Sequence, residues 1–415
     1  MANPIAVPGS NVAIGSVIGP GGAQGVQGLQ GPTVVSADAG NIAVIGSDNR
    51  ILVPQSAITS VRLRSFSSIG NPSMEVAQRN IGNAIATPAN GAFIEDRWTA
   101  TNTNLACTAQ RATTISGPFT IPGTNFGITN NYIRFTVNTA KASLAASDNV
   151  GVYQAVEGPL WRELSSDVHS VSLLVRSSVS PFKFGLILQS ATGTIYSLCK
   201  LCTFNAGANN VQLITLPSLP VWTSSATWNS APGTVAYYLG IILAAGSNAV
   251  PSANDSWIAS SAAWGALGQD NFMATAGAIF DVCFVQHCPG SNTDLIDLPF
   301  SRNLDECQRY FQKTYSYGTK PGNATYAGAL STLTPANALS TLPGTIFSKR
   351  MAKAPTMVIW SESGASNNVR DTGANVDRAV TTAYADESSL MQIVLIASGV
   401  ANNFIRYHYT ADTGW

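Results

Sequence analysis

The sequence predicts an all-β chain carried on a trimeric stalk, and three observations support this. Glycine occupies every third position from Gly19 to Gly31. From residue 75 to 300, short apolar runs with alternating polarity stand between turn clusters, with almost no helical period. Charged residues make up only 11% of the chain, less than half the usual quarter, which suits a rigid β-rich protein with a neutral polar surface.

Residues 1–18 are apolar, hold Pro, Gly and Ser, and lack a helical period. They read as an extended segment that anchors the chain in a partner. Residues 19–33 are five Gly-X-Y triplets. Only glycine fits at the crowded axis of a collagen-type triple helix, so a strict period of three has a physical cause. One such strand needs two partners, which predicts a homotrimer. Its length is limited: roughly 15 residues at about 3.1 Å each span about 45 Å, so the flanking regions must help to hold the trimer.

Residues 34–74 read as a trimeric β stalk. Gly46-Ser47-Asp48-Asn49 between short β-branched runs is a hairpin signal. Ile58–Phe66 alternates, and Ile69-Gly70-Asn71-Pro72 breaks the chain at the end of the stalk. Residues 75–300 then form a jelly-roll receptor-binding domain, with strands such as Tyr132–Val137, Ser170–Arg176, Phe182–Leu188, Val211–Leu216, Ala236–Leu243 and Ala278–Val285. Residues 301–318 contain the one clear helical pattern, Leu304–Tyr315. Asn303 is placed to cap it, Glu306 completes a capping box, and Leu304, Cys307, Phe311 and Thr314 share a face. Residues 319–415 return to β character as a C-terminal β-sandwich, its last strand running over Asn403–Thr410.

Lys+Arg and Asp+Glu balance at 22 each, which argues against nucleic acid and anionic membrane surfaces as partners. No apolar run reaches the length of a membrane span. The N-terminus lacks the basic and hydrophobic regions of a secretory signal, so synthesis in a cytoplasm is expected. Six cysteines in so long a chain are not a disulfide framework. Cys199 and Cys202 could join Cys283 and Cys288 as zinc ligands, but residues three apart on a strand face opposite ways. No metal and no cofactor are expected. His169, His287 and His408 belong to no catalytic pattern. Glu95, Asp96, Glu157, Glu163, Asp281, Asp305 and Glu306 are scattered, so no catalytic residues are assigned and the protein is not expected to be an enzyme.

The tryptophans are more suggestive. Trp222, Trp228, Trp257 and Trp264 lie in Ser/Ala/Asn/Gly-rich stretches. Core packing is one reading of them. An exposed ring stacked on the apolar face of a sugar is the other, with neighbours such as Asn254 and Asp255 supplying hydrogen bonds.

Several stretches in this order carry a resemblance: Asn90–Trp98, Tyr153–Gly158, Ser170–Ser177, Ile279–Gln286, Leu304–Phe311 and Met351–Thr356. Together with the glycine triplets and Ser36–Asn41, this pattern resembles fibre proteins of tailed bacteriophages and related prophage elements. Their distal jelly roll is similar to carbohydrate-binding modules. One departure is His287-Cys288-Pro289, which stands where relatives usually carry an acidic residue. The resemblance implies a virion fibre, on tail or head, assembled in the host cytoplasm. Other virion proteins would hold its N-terminus, and it would attach to a host surface polysaccharide. A structural virion component without a ligand, and a polysaccharide-degrading spike, remain the alternatives.

Overall fold

The computed structural model describes residues 67–415, apart from 115–117, 124–126, 166–167, 292, 334–340 and 396–402, together with two short strands before them. The chain separates into two units, Met1–Ser60 and Val61–Trp415. In the first, Val44–Ile45 pairs antiparallel with Ile51–Leu52, flanking the hairpin signal. The anchoring segment, the glycine triplets and the Ile58–Phe66 run lie outside the described residues.

The second unit opens with two antiparallel sheets face to face. The front sheet has seven strands in the order Trp257–Ala259, Tyr196–Phe204, Phe182–Ser190, Val235–Ala245, Asn149–Glu157, Trp98–Asn102 and Phe93–Glu95. The back sheet has six: Val211–Leu219, His169–Ser177, Ile279–Pro289, Asn131–Val137, Cys107–Thr113 and Ile85–Ala86. The chain crosses repeatedly from one sheet to the other, in jelly-roll fashion. The core follows from the two-residue period of a strand. Val152, Val156, Tyr237, Leu239 and Ile241 point inward from the front sheet, and Ile133, Phe135, Leu173 and Val282 from the back. Phe182, Phe184, Phe272 and Phe280 meet at centroid distances of 5.2–6.3 Å.

The expected stalk boundary at residue 74 is corrected. Residues 67–74 belong to the sandwich: Ile69 and Met74 lie in its core. The Ser68 N–H donates to the His287 carbonyl at 2.9 Å, and the Val285 N–H to that of Pro72 at 3.0 Å. Gly70-Asn71-Pro72 reads as a chain break, yet the segment bonds to strands of both sheets. Trp98, fully buried, donates its indole N–H to the Asn71 carbonyl at 3.0 Å.

Among the described residues there are two short α-helices, one between Asn149–Glu157 and His169–Ser177 and one after the sandwich. α1 is Gly158–Leu164, with proline in its first turn. α2 is Phe300–Gln308, shorter and earlier than the sequence suggests. Pro299, not Asn303, stands at its N-cap, and Asn303 is buried inside it. Phe311–Lys313 leaves helical geometry to pair with Thr410–Asp412, because a strand partner a hundred residues away overrides the local apolar period.

Among the described residues, the C-terminal region is one continuous eight-stranded sheet in place of the expected sandwich. It curls around its own core of Leu342, Phe347, Ile359, Val369, Ile393, Ile405 and Tyr407. Phe404–Asp412 is its hub, pairing with Phe311–Lys313, Leu330–Leu333, Thr356–Ser361 and Asn368–Asp371.

Candidate functional site

Gly240 organises the outer face of the front sheet. Its cross-strand partner is Tyr153, and Tyr238 lies two residues along on the same face. Val152 and Tyr237, next to these tyrosines in sequence, point into the core, so the tyrosine rings are turned outward by alternation. Residues 246–270 fold back across this face. Ala263 packs on Ile187, Cys199 and Ile242, the Asn248 N–H donates to the Ala146 carbonyl at 2.8 Å, and Asn149 Nδ2 donates to the Trp264 carbonyl at 2.9 Å. The Trp264 ring therefore lies on Gly240, where an added Cβ would sit 3.2 Å from Cζ3.

The result is an open cleft of about 460 Å³. Tyr153, Tyr238 and Trp264 form its aromatic surface, with centroids 5.5–6.1 Å apart and planes inclined at 48–84°. Asn90, Thr101, Thr103, Ser147, Asn149 and Asn248 supply amide and hydroxyl groups around them. No charged side chain is among the described residues lining it. Burial raises both tyrosine pKa values above the ordinary phenol value, Tyr153 also feeling Tyr238, so the hydroxyls stay protonated as donors. An apolar surface rimmed by neutral donors and acceptors suits a polyhydroxylated, uncharged ligand.

Of the six residues singled out from sequence, only Trp264 lies in this cleft. Trp222, Trp228 and Trp257 gather with Trp161 at the side of the sandwich. Trp161 stacks on Trp228 at 5.5 Å and 14°, and Trp222 on His169 at 4.5 Å and 16°. Their indole N–H groups go to the carbonyls of Leu164 (Trp222), Thr223 (Trp228) and Val221 (Trp257) at 2.8–3.1 Å. Asn254 exchanges two hydrogen bonds of 2.9 Å with the Leu267 backbone, and Asp255 pairs with Lys200. Tyr153 and Tyr238 were missed; the available signal was an aromatic ring on the non-core beat of an alternating strand.

The cysteines are buried and unpaired. Cys202 faces the sandwich core and Cys199 the outer layer, as strand alternation requires. Burial pushes both thiols up to about 12. No group of three metal-binding side chains occurs among the described residues. The carboxylates singled out from sequence lie away from the cleft: Glu95, Asp96, Glu157 and Asp281 are buried, and Asp305 pairs with Lys349.

His287, at the departure noted above, joins a hydrogen-bond chain through the core. Ser68 Oγ meets the Tyr237 hydroxyl at 2.9 Å, which meets His287 Nδ1 at 2.7 Å. His287 Nε2 meets His169 Nδ1 at 2.9 Å, and His169 Nε2 reaches the Pro220 carbonyl at 3.2 Å. The terminal carbonyl only accepts, so His169 carries a proton on Nε2, and with both rings neutral the rest of the order follows. His169 donates from Nε2, His287 donates to His169, Tyr237 to His287, and Ser68 to Tyr237. This order holds with both rings neutral, the state that burial favours. Desolvation holds His169 down to about 4 and His287 well below the ordinary value, the latter also through His169. The unfolded chain keeps ordinary imidazoles. The pair's contribution to stability is therefore complete above a pH of about 6.5 and is lost as pH falls toward 4. In NMR spectra, both rings are expected to keep neutral-imidazole shifts down to a pH of about 5, well below the ordinary midpoint. An ordinary titration of His287 would overturn the proton assignment.

No protein family and no curated protein matches the sequence. Among solved structures, the chain is similar to the module TmCBM61 in complex with β-1,4-galactotriose, with 9% identity over 54% of this chain and 98% of that one and a TM-score of 0.27. It is similar to the family 11 carbohydrate-binding module from Clostridium thermocellum in complex with a β-1,3-1,4-mixed-linked tetrasaccharide, with 10% identity over 48% and 91% and a TM-score of 0.25. It is also similar to the C-terminal family 22 carbohydrate-binding module of Clostridium thermocellum Xyn10B, with 13% identity over 48% and 89% and a TM-score of 0.26.

Proposed function

We propose that the protein is a non-catalytic glycan-binding fibre, which takes an uncharged stretch of polysaccharide in the Tyr153–Tyr238–Trp264 cleft. The observation that carries this reading is three aromatic rings on an open sheet face, ringed by amides and hydroxyls without a charged side chain. One sugar ring stacks on one aromatic face, and the neighbouring edges and amides fix its orientation. Each contact is modest, and the glycine triplets at 19–33 support presentation of three copies. Linked sites bind together far more tightly than one alone. On this reading the N-terminal segment anchors the fibre in a virion, and the cleft meets a host surface glycan.

Trp264→Ala and Tyr238→Ala are each expected to weaken binding to a glycan array, or to a host polysaccharide identified by it, at least about tenfold, the loss of one stacking surface. Both variants binding as tightly as the parent would sink the cleft as the site. Light scattering on the full chain is expected to give three times the 43.3 kDa chain mass. A monomer would remove the stalk and the avidity argument, while leaving the cleft intact.

A further inference from the structure

A second cavity lies on another side of the sandwich, where residues 67–72 meet α1 and α2. It is about 210 Å³ in volume, and Arg97, Arg302 and Arg309 all reach it. Arg97 is the unusual member. It is only 2% exposed and sits in the left-handed backbone region at φ 71°, which disfavours a side chain. Its Nη2 donates to the Ala155 carbonyl at 2.6 Å, and its guanidinium carbon lies 3.6 Å from the Tyr310 ring centroid. Nε and Nη1 are buried with no hydrogen-bond partner. A buried cation with donors unmet is among the most costly arrangements a fold can hold. A group that supplies the missing acceptors would remove that cost.

The surroundings define the group. Gly70 lines the cavity beside Arg97, and a Cβ there would stand 3.2 Å from Nε, so glycine keeps the approach to that nitrogen open. Arg309 is held by Glu157 at 3.0 Å, and Arg302 lies 3.6 Å from Glu306. Three guanidiniums against these two carboxylates leave one positive charge, which matches a monoanion. Leu160, Ile296 and Leu298 form an apolar wall against which a carbon skeleton would pack.

We propose that this cavity binds a monocarboxylate, its carboxylate on Arg97 and its carbon skeleton against Leu160, Ile296 and Leu298. The chemistry is shared by small organic acids and by the acidic sugars of a glycan. The site is independent of the cleft on the front sheet.

Calorimetric titration of the full chain at fixed ionic strength tests it, with sodium acetate, sodium glucuronate, glucose and inorganic phosphate as probes. A carboxylate is expected to bind once per chain, and glucose not at all. Acetate and glucuronate binding alike would assign the site to any small acid; glucuronate alone would assign it to an acidic sugar. Arg97→Lys keeps the charge but loses the guanidinium donors, and is expected to weaken binding at least tenfold. Gly70→Ala, which crowds Nε at an ordinary backbone conformation, is expected to do the same, and serves alone if Arg97→Lys fails to fold. Trp264→Ala is expected to leave this binding unchanged, which separates its outcome from that of the cleft. No heat from either carboxylate, binding of phosphate only, or carboxylate binding indifferent to Gly70→Ala would overturn the proposal.

Discussion

Asp281→Ala is expected to lower the stability of the protein by about 3–5 kcal/mol, the range for removing one partner of a buried ion pair. The Asp281 carboxylate is fully buried on the outer side of the back sheet, between two arginines on flanking strands. Arg134 Nε donates at 2.8 Å and Arg176 Nε at 2.7 Å. Both guanidiniums lie near the Tyr132 ring, and Arg176 also near Phe119, at about 5 Å. Without the acid, two like charges face each other beneath aromatic rings. Their side chains are only 25% and 22% exposed, so water relieves little of the repulsion. Urea unfolding measures the loss. A change below about 1 kcal/mol, the worth of an exposed pair, would mean that the arginines swing out to solvent.

Glu157→Ala is expected to cost a similar amount, about 3 kcal/mol, with a different symptom. Glu157 ends a central strand of the front sheet and is 1% exposed. It accepts from the Tyr310 hydroxyl at 2.8 Å, from Arg309 at 3.0 Å and from the Gly233 N–H at 3.1 Å. It thereby fastens the sandwich to the segment leading into the C-terminal sheet. A second fastening is the paired contact of Arg79 with Asp412. Weakening the first should let the C-terminal sheet detach before the sandwich melts. Limited proteolysis is expected to release it from the variant first, with cuts near residues 309–313. Uniform digestion of both regions would show that the two unfold as one.

Much of the fold was legible because strand alternation is a local signal. Ser170–Arg176 lies within one strand of the back sheet, and Ala278–Val285 overlaps another, Ile279–Pro289, in all but its first residue. Misreadings occurred where distant partners decide. Phe311 continues the helical spacing of Leu304 and Cys307, yet Phe311–Lys313 pairs with the strand Phe404–Asp412, and the neighbouring Tyr310 is claimed by Glu157. Ile69–Pro72 looks like a break because of its Gly-Asn-Pro run; its burial comes from the two sheets it packs against. The tryptophan loops lack any period, so nothing local says which way a ring points. Trp222 and Trp228 turn toward Trp161, which is far away in sequence, and Trp257 packs on Trp222. Tyr153 was readable in principle, since Val152 and Val156 already mark the core-facing beat. Its role needed Gly240 and Trp264, which the fold alone brings beside it.

The hub position of Phe404–Asp412 bears on how the chain is made. Translation delivers every strand of the sandwich by Pro289, so that region is free to complete its pairings early, as domains synthesised first generally do. The strands Phe311–Lys313, Leu330–Leu333 and Thr356–Ser361 must instead wait for residues 404–412, with their edges unpaired until then. A product terminated before residue 404 would carry a finished sandwich trailing open strand edges, and Arg79 would lack its Asp412 partner. Such edges attract proteases and other unfinished chains. Phe404–Asp412 therefore closes three strand edges at once, and only copies that carry it would present those edges covered.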